Sequence, residues 1–156
     1  MNPFRIILTV GCMIGFFSLV SYVITSRIVP EETDPQVIAF DMTRPRAPSE
    51  ARKTENPVPS TEEVIAQGKA LYLGKGNCYV CHGRTGLGDG EAGAMLSPPP
   101  RDLADPAFQT LRADGEIFWS IVHGVPQTGM FSYVPRMITE DEAWRIVRYI
   151  RTIKRQ

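Results

Sequence analysis
The stretch Asn77-Cys78-Tyr79-Val80-Cys81-His82-Gly83 decides how this 156-residue chain is understood. Two thiols three positions apart on a helical turn can each add to a vinyl group of one haem. The adjacent histidine then falls beneath the iron as its proximal ligand. Two other chemistries use paired cysteines. Structural zinc takes four ligands, and the remaining Cys12 and His123 do not make a second pair. A thiol redox site belongs in a βαβ setting, and the chain shows no convincing strands. Three cysteines also cannot build a disulfide framework. The expectation is one haem c, attached covalently through Cys78 and Cys81.

On both sides of this motif the apolar spacing is helical. Ser60 and Glu63 make a capping box ahead of Val64, Ile65, Ala70 and Leu71. They predict a helix that runs to about Leu73 and stops at Gly74 and Gly76. Asp114 is placed to cap a second helix, whose pairs Ile117/Phe118 and Ile121/Val122 repeat before Gly124 ends it. Thr139 and Glu142 form another capping box, opening a last helix with Ala143, Val147, Ile150 and Ile153 on one stripe. The expected fold class is all-α. Gly83, Gly86, Gly88, Gly90 and Gly93 mark a loop after the motif, and no helix opens behind them as a phosphate cradle requires.

Residues 60–156 resemble the class I c-type cytochromes, specifically the single-haem domains carried by bacterial respiratory complexes. The likeness rests on Gly68-Lys69-Ala70-Leu71-Tyr72, on Cys78 to Gly83, and on Gly86-Leu87-Gly88-Asp89-Gly90. It continues through Pro99-Pro100-Arg101-Asp102-Leu103, Ile121 to Gly124, Thr128-Gly129-Met130 and Trp144 to Ile150. The resemblance implies a class I cytochrome c fold around one haem, with the first and last helices crossing beside it. Gly68 costs a helix about 1 kcal/mol relative to alanine. In the family that vacancy lets the last helix pass closely, and Tyr72 and Tyr149 would pack around it.

An electron carrier of this kind needs a second strong iron ligand, and methionine opposite histidine favours ferrous iron. Met95, Met130, Met137 and His123 are the candidates. Met130 is preferred, because it ends the loop Gly124-Val125-Pro126-Gln127-Thr128-Gly129-Met130. That loop's glycines and proline can lay backbone against a porphyrin. It also stands nine residues before Thr139, a spacing like that of the family. Met137 lies too near the last helix to swing across. The family usually places proline after this methionine, and here Phe131 stands instead. His82 needs its other ring nitrogen held by a carbonyl, expected from Pro98, Pro99 or Pro100. Arg101 and Trp119 are candidate partners for the haem propionates, with surface charge and core packing as the ordinary alternatives. The expected cofactor-binding set is thus Cys78, Cys81, His82, Met130, Pro99, Arg101 and Trp119, with His82 and Met130 on the iron.

The first 59 residues are organised differently. Between Arg5 and Arg27 lie 21 residues without a charge, and a helix of that length spans about 30 Å, the hydrocarbon thickness of a bilayer. No small-residue cleavage site follows, and Thr9 and Val10 fit a lipoprotein signal at Cys12 poorly. Residues 1–29 are expected to be a single transmembrane anchor, with Gly11 and Gly15 on a face where another membrane helix can pack. Residues 30–59 hold 6 of the 13 prolines and predict an extended or irregular tether, about 90 Å long as polyproline II or roughly 30 Å as a loose coil; the resemblance places it in the periplasm. Inside it the apolar run Val37-Ile38-Ala39-Phe40, with Met42, is expected to lie on a partner or on the protein's own domain.

Seventeen basic and 17 acidic residues give zero formal charge and a pI near 6.7, which argues against nucleic acid as a partner. Residues 60–156 carry 11 of each sign, so charge steering is weak, and tethering would supply effective concentration instead. Thioether cytochromes are assembled on the outer side of the bacterial inner membrane. The resemblance therefore implies a cytoplasmic N-terminus and a periplasmic haem domain. The expected function is relay of single electrons between subunits of membrane-embedded respiratory complexes, whether a quinol-oxidising complex, a terminal oxidase or a reductase. The protein would be a carrier or a subunit of such a complex. The alternative is sensing or catalysis at a haem whose sixth ligand can be displaced.

Overall fold
A computed structural model describes Phe17, Ser18 and residues 45–155. The chain divides into two units, Met1–Ala39 and Phe40–Gln156. The expected membrane anchor falls in the first, where only the helical Phe17 and Ser18 are described. No helix among the described residues is long and apolar enough to cross a membrane. Every regular element described is helical, in agreement with the all-α expectation.

The last helix is the best-specified element. Thr139 accepts from Glu142 N at 3.2 Å, and the Glu142 carboxylate accepts from Thr139 N at 2.8 Å, so this capping box forms as expected. The helix occupies Glu140–Ile150 and buries Ala143, Ile146, Val147 and Ile150. The first long helix occupies Glu62–Leu73, but its cap is Thr61 and not Ser60. Thr61 Oγ1 accepts from Val64 N at 3.3 Å, while Glu63 instead accepts from the Gln67 amide at 3.2 Å. Both hydroxyls stand in sequence at the helix start; the backbone turns at Thr61, whose extended conformation makes it the boundary.

These two helices cross at Gly68, where a Cβ would run into the Arg145 carbonyl. The crossing expected from the vacant side chain is therefore present. Tyr72 is fully buried beside it, edge-on to Tyr149 at 5.2 Å, with its hydroxyl donating to the Gly83 carbonyl at 2.7 Å.

A third helix, Asp114–His123, ends as expected at Gly124, whose φ of 76° suits glycine. Its start differs from expectation. Ala113 is the cap residue, and the Glu116 carboxylate reaches back to its N–H at 2.8 Å. Asp114 instead binds Arg151 at 2.6 Å and Arg148 at 3.4 Å. Two guanidinium groups compete successfully for a carboxylate standing one residue inside the helix. Phe118 of this helix stacks flat on Trp144 at 3.8 Å.

Three short α-helices, Ser49–Arg52, Tyr79–His82 and Pro106–Leu111, the last capped by Asp105, and a 3-10 helix, Gly93–Met95, complete the described elements. In chain order we number the α-helices α1 (Ser49–Arg52), α2 (Glu62–Leu73), α3 (Tyr79–His82), α4 (Pro106–Leu111), α5 (Asp114–His123) and α6 (Glu140–Ile150). Residues 45–59, expected as part of a tether, are folded against this unit. Val58 is buried in the core, and Arg148 donates to the Val58 and Asn56 carbonyls at 2.7 and 3.1 Å. Hydrogen bonding of the proline-poor stretch between Pro48 and Pro57 replaces free extension. The apolar run at residues 37–42 lies outside the described residues.

Candidate functional site
The Cys78–His82 segment is tied directly to the end of α2. Gly76 N donates to the Leu71 carbonyl at 2.8 Å and Cys78 N to the Tyr72 carbonyl at 3.1 Å. The chain then turns once as α3, with His82 N on the Cys78 carbonyl at 2.9 Å, and leaves through Gly83 at φ 78°. One turn places Cys78, Cys81 and His82 on the wall of a single cavity of about 1170 Å³, counting the space at its mouth. Leu96, Leu103, Phe108, Ile117, Ile121 and Ile146 supply apolar wall. Burial pushes the Cys78 thiol up to about 12. It stays protonated at neutral pH, unlike the thiolate of a redox-active pair.

Met130 enters the same cavity from the opposite stretch of sequence. Its loop is closed by Val125 N on the Met130 carbonyl at 2.8 Å, and Met130 N donates to Thr128 Oγ1 at 3.2 Å. Gly124 and Gln127 both take positive φ there, 76° and 61°. Gly129 leaves room for Leu96, whose Cδ2 would stand 2.5 Å from a Cβ. The rival sulfurs are elsewhere. Met95 is 84% exposed, and Met137 packs against the core without lining the cavity. His123 is exposed at the end of α5 against Trp119.

His82 Nδ1 lies 3.1 Å from the Arg101 carbonyl. A carbonyl only accepts, so Nδ1 carries the proton and Nε2 is the nitrogen whose lone pair can serve a metal. This corrects the expectation that Pro98, Pro99 or Pro100 would hold the ring. Proline's missing N–H does not improve its carbonyl, and the Pro100 carbonyl instead meets the backbone at Gly88, 2.6 Å from where a Cβ would be. Pro99 and Arg101 do line the cavity. Trp119 does not. Helical spacing turns Ile117, Ser120 and Ile121 of α5 inward, and Trp119 packs on His123 at 5.0 Å between ring centres.

Sequence reasoning missed several lining residues. Tyr133 stands on the wall, its phenol pushed up to about 12 by burial, and Phe131 stacks on it at 4.7 Å. Arg112 and Glu116 are also there, joined at 3.1 Å. Arg112 lies in the extended link between α4 and α5, so no helical spacing pointed to the pair. Pro45 and Ala47 complete the wall, and no local pattern pointed to them.

The donor set is therefore two thiols, an imidazole protonated at Nδ1, and a thioether, all facing one apolar-walled space. That set fits haem c. A scan of family models matches the cytochrome c model to residues 65–154, more than half of the chain. The chain belongs to the cytochrome c family. Haem-based electron transfer is the function such a domain carries, and Cys78 and Cys81 stand where the family attaches haem covalently.

Among solved structures, this cytochrome c domain is similar to a chain of the Kuenenia stuttgartiensis reducing HAO-like protein complex Kustc0457/Kustc0458. The two are 25% identical with a TM-score of 0.56, covering 76% of this chain and 55% of that one. The chain thus spans little more than half the length of that relative. It is also similar to the KustC0563 c-type cytochrome, at 29% identity and a TM-score of 0.46, covering 56% of this chain and 98% of that one. No curated protein matches.

Proposed function
We propose that this protein passes single electrons through one haem c, bound covalently by Cys78 and Cys81 and ligated by His82 and Met130. The observation that carries this is the convergence of those four side chains on one cavity. When bound, haem supplies the one-electron ferric/ferrous couple. The protein's own residues do the rest. The Arg101 carbonyl orients His82, the Met130 thioether would hold the iron together with it, and Leu103, Phe108 and Ile121 would exclude water from the bound group.

The domain is tethered by residues 1–29 to the bacterial inner membrane, N-terminus inside and haem domain periplasmic. There it serves as a carrier or subunit between membrane-embedded respiratory partners. The uncharged segment between Arg5 and Arg27 supports this placement. Likeness to a chain of a multi-protein redox complex supports working assembled with other redox proteins.

Acid–acetone extraction tests the attachment: colour should stay with the protein, and a haemochrome assay should return one haem per chain. Colour in the solvent, or two haems, ends the proposal. Recovery from the membrane fraction only with detergent, together with co-purifying redox subunits, tests the placement.

A further inference from the structure
Residues 45–59 precede the stretch shared with the cytochrome c family model, which begins at residue 65. Their N-terminal end nevertheless reaches the cavity. Pro45 and Ala47 line it. α1 lies close upon α5: a Cβ at Gly115 would run into the Ala51 carbonyl and stand 2.6 Å from the Thr54 carbonyl. Arg52 reaches from α1 to the Leu111 carbonyl at 2.9 Å and to Glu116 Oε2 at 2.9 Å. Glu116 is only 5% exposed. Its second oxygen takes Arg112 at 3.1 Å, and both of these side chains line the cavity. A buried carboxylate is costly unless paired and hydrogen-bonded, and Arg52 is one of the groups that compensate it.

We propose that residues 45–59 are a strap belonging to the haem site itself. Within it, Arg52 is a positioning residue that, through Glu116, sets the reduction potential. Ferric haem carries one more positive charge than ferrous haem. A cation held at the wall therefore favours the reduced form, and an uncompensated carboxylate favours the oxidised form. Arg112 already pairs with Glu116, so docked Arg52 leaves the cluster net positive and biases the site toward reduction. By linkage, reduction tightens the strap and oxidation loosens it. This inference rests on haem occupying the cavity.

The test uses the full-length protein in detergent. Arg52→Gln should retain covalent haem and lower the midpoint potential by about 59 mV, a tenfold change in the one-electron equilibrium. Arg52→Lys should restore most of that shift. Gly115→Ala displaces the strap without altering any charge. It should also lower the potential, by admitting water, and should speed protease cleavage within residues 45–59. If Arg52→Gln or Gly115→Ala keeps its haem at the parental potential, the inference is overturned, and the strap is a brace alone. Loss of stability without a shift in potential overturns it equally. Absence of covalent haem from parent and variants alike would overturn the haem assignment instead.

Discussion
Where α2 crosses α6, protein meets protein: Gly68 meets the Arg145 backbone, and Val147 is fully buried away from the cavity. The segments 96–103 and 124–134 are built otherwise. Leu96, Pro99, Arg101, Met130 and Tyr133 turn toward the cavity, and their loops meet across it at few points, such as Leu96 against Gly129. The crossing packs protein on protein but is too small to hold the domain alone, whereas the loops need something in the cavity to pack against. A domain this small without disulfides has little core to spare. The difference teaches that the prosthetic group is a structural element for one region and a neighbour for the other.

The largest effect should come from removing the attachment. A Cys78→Ala, Cys81→Ala double variant should lose haem and most of its native helix content, seen by circular dichroism. A sharp thermal transition with native helicity would show that the α2–α6 crossing holds the domain alone, and would break the comparison. Next is Gly68→Ala, which attacks the closed region. Overpacking against the Arg145 backbone should cost about 1–3 kcal/mol, read as a lower Tm with haem still attached.

Met130→Ala attacks the open region and should barely move stability. It should abolish the far-red band of methionine-bound ferric haem, lower the potential, and let carbon monoxide bind the reduced protein quickly. Met137→Ala should leave the band intact and cost only core packing. If Met137→Ala removes the band, the ligand assignment is wrong. Rapid carbon monoxide binding by the parent would favour sensing or catalysis at the haem.

The smallest effect concerns Lys75, which donates to both Glu142 oxygens at 2.8 and 2.7 Å and holds that carboxyl below its usual 4.5. A carboxyl depressed by folding stabilises the native state above its unfolded pKa, and the contribution fades as pH falls through the lower folded value. The pair is exposed, so Lys75→Ala should cost a few tenths of a kcal/mol at about pH 7. That difference should shrink as the pH drops below about 4.5 in thermal melts. An unchanged difference at about pH 3 would remove Glu142 from the account.

Much of the site was legible because its chemistry is local. Cys78, Cys81 and His82 need only one helical turn to reach one wall. Met130 was identified by its loop composition and its distance from Thr139, and the structure brings it to the same cavity. The capping box at Thr139 and the stripe Ala143, Val147, Ile150 were equally plain, since caps and stripes are relations within a few residues. The cap at Thr61 was one residue off, where two adjacent hydroxyls offered the same signal.

By itself, then, the sequence determined the all-α class, the Cys-x-x-Cys-His motif, a methionine that reaches the same cavity, and the glycine at which two helices cross. Tertiary structure decided which carbonyl holds His82, that Trp119 turns away, and that Glu116 is buried between Arg52 and Arg112. It also decided that Pro45 and Ala47 reach the cavity wall. The physical reason is separation along the chain. A hydrogen bond from His82 to Arg101 spans 19 positions, and the Arg52–Glu116 pair spans 64. Any carbonyl or cation of suitable reach serves equally in the sequence, and only the folded backbone selects one.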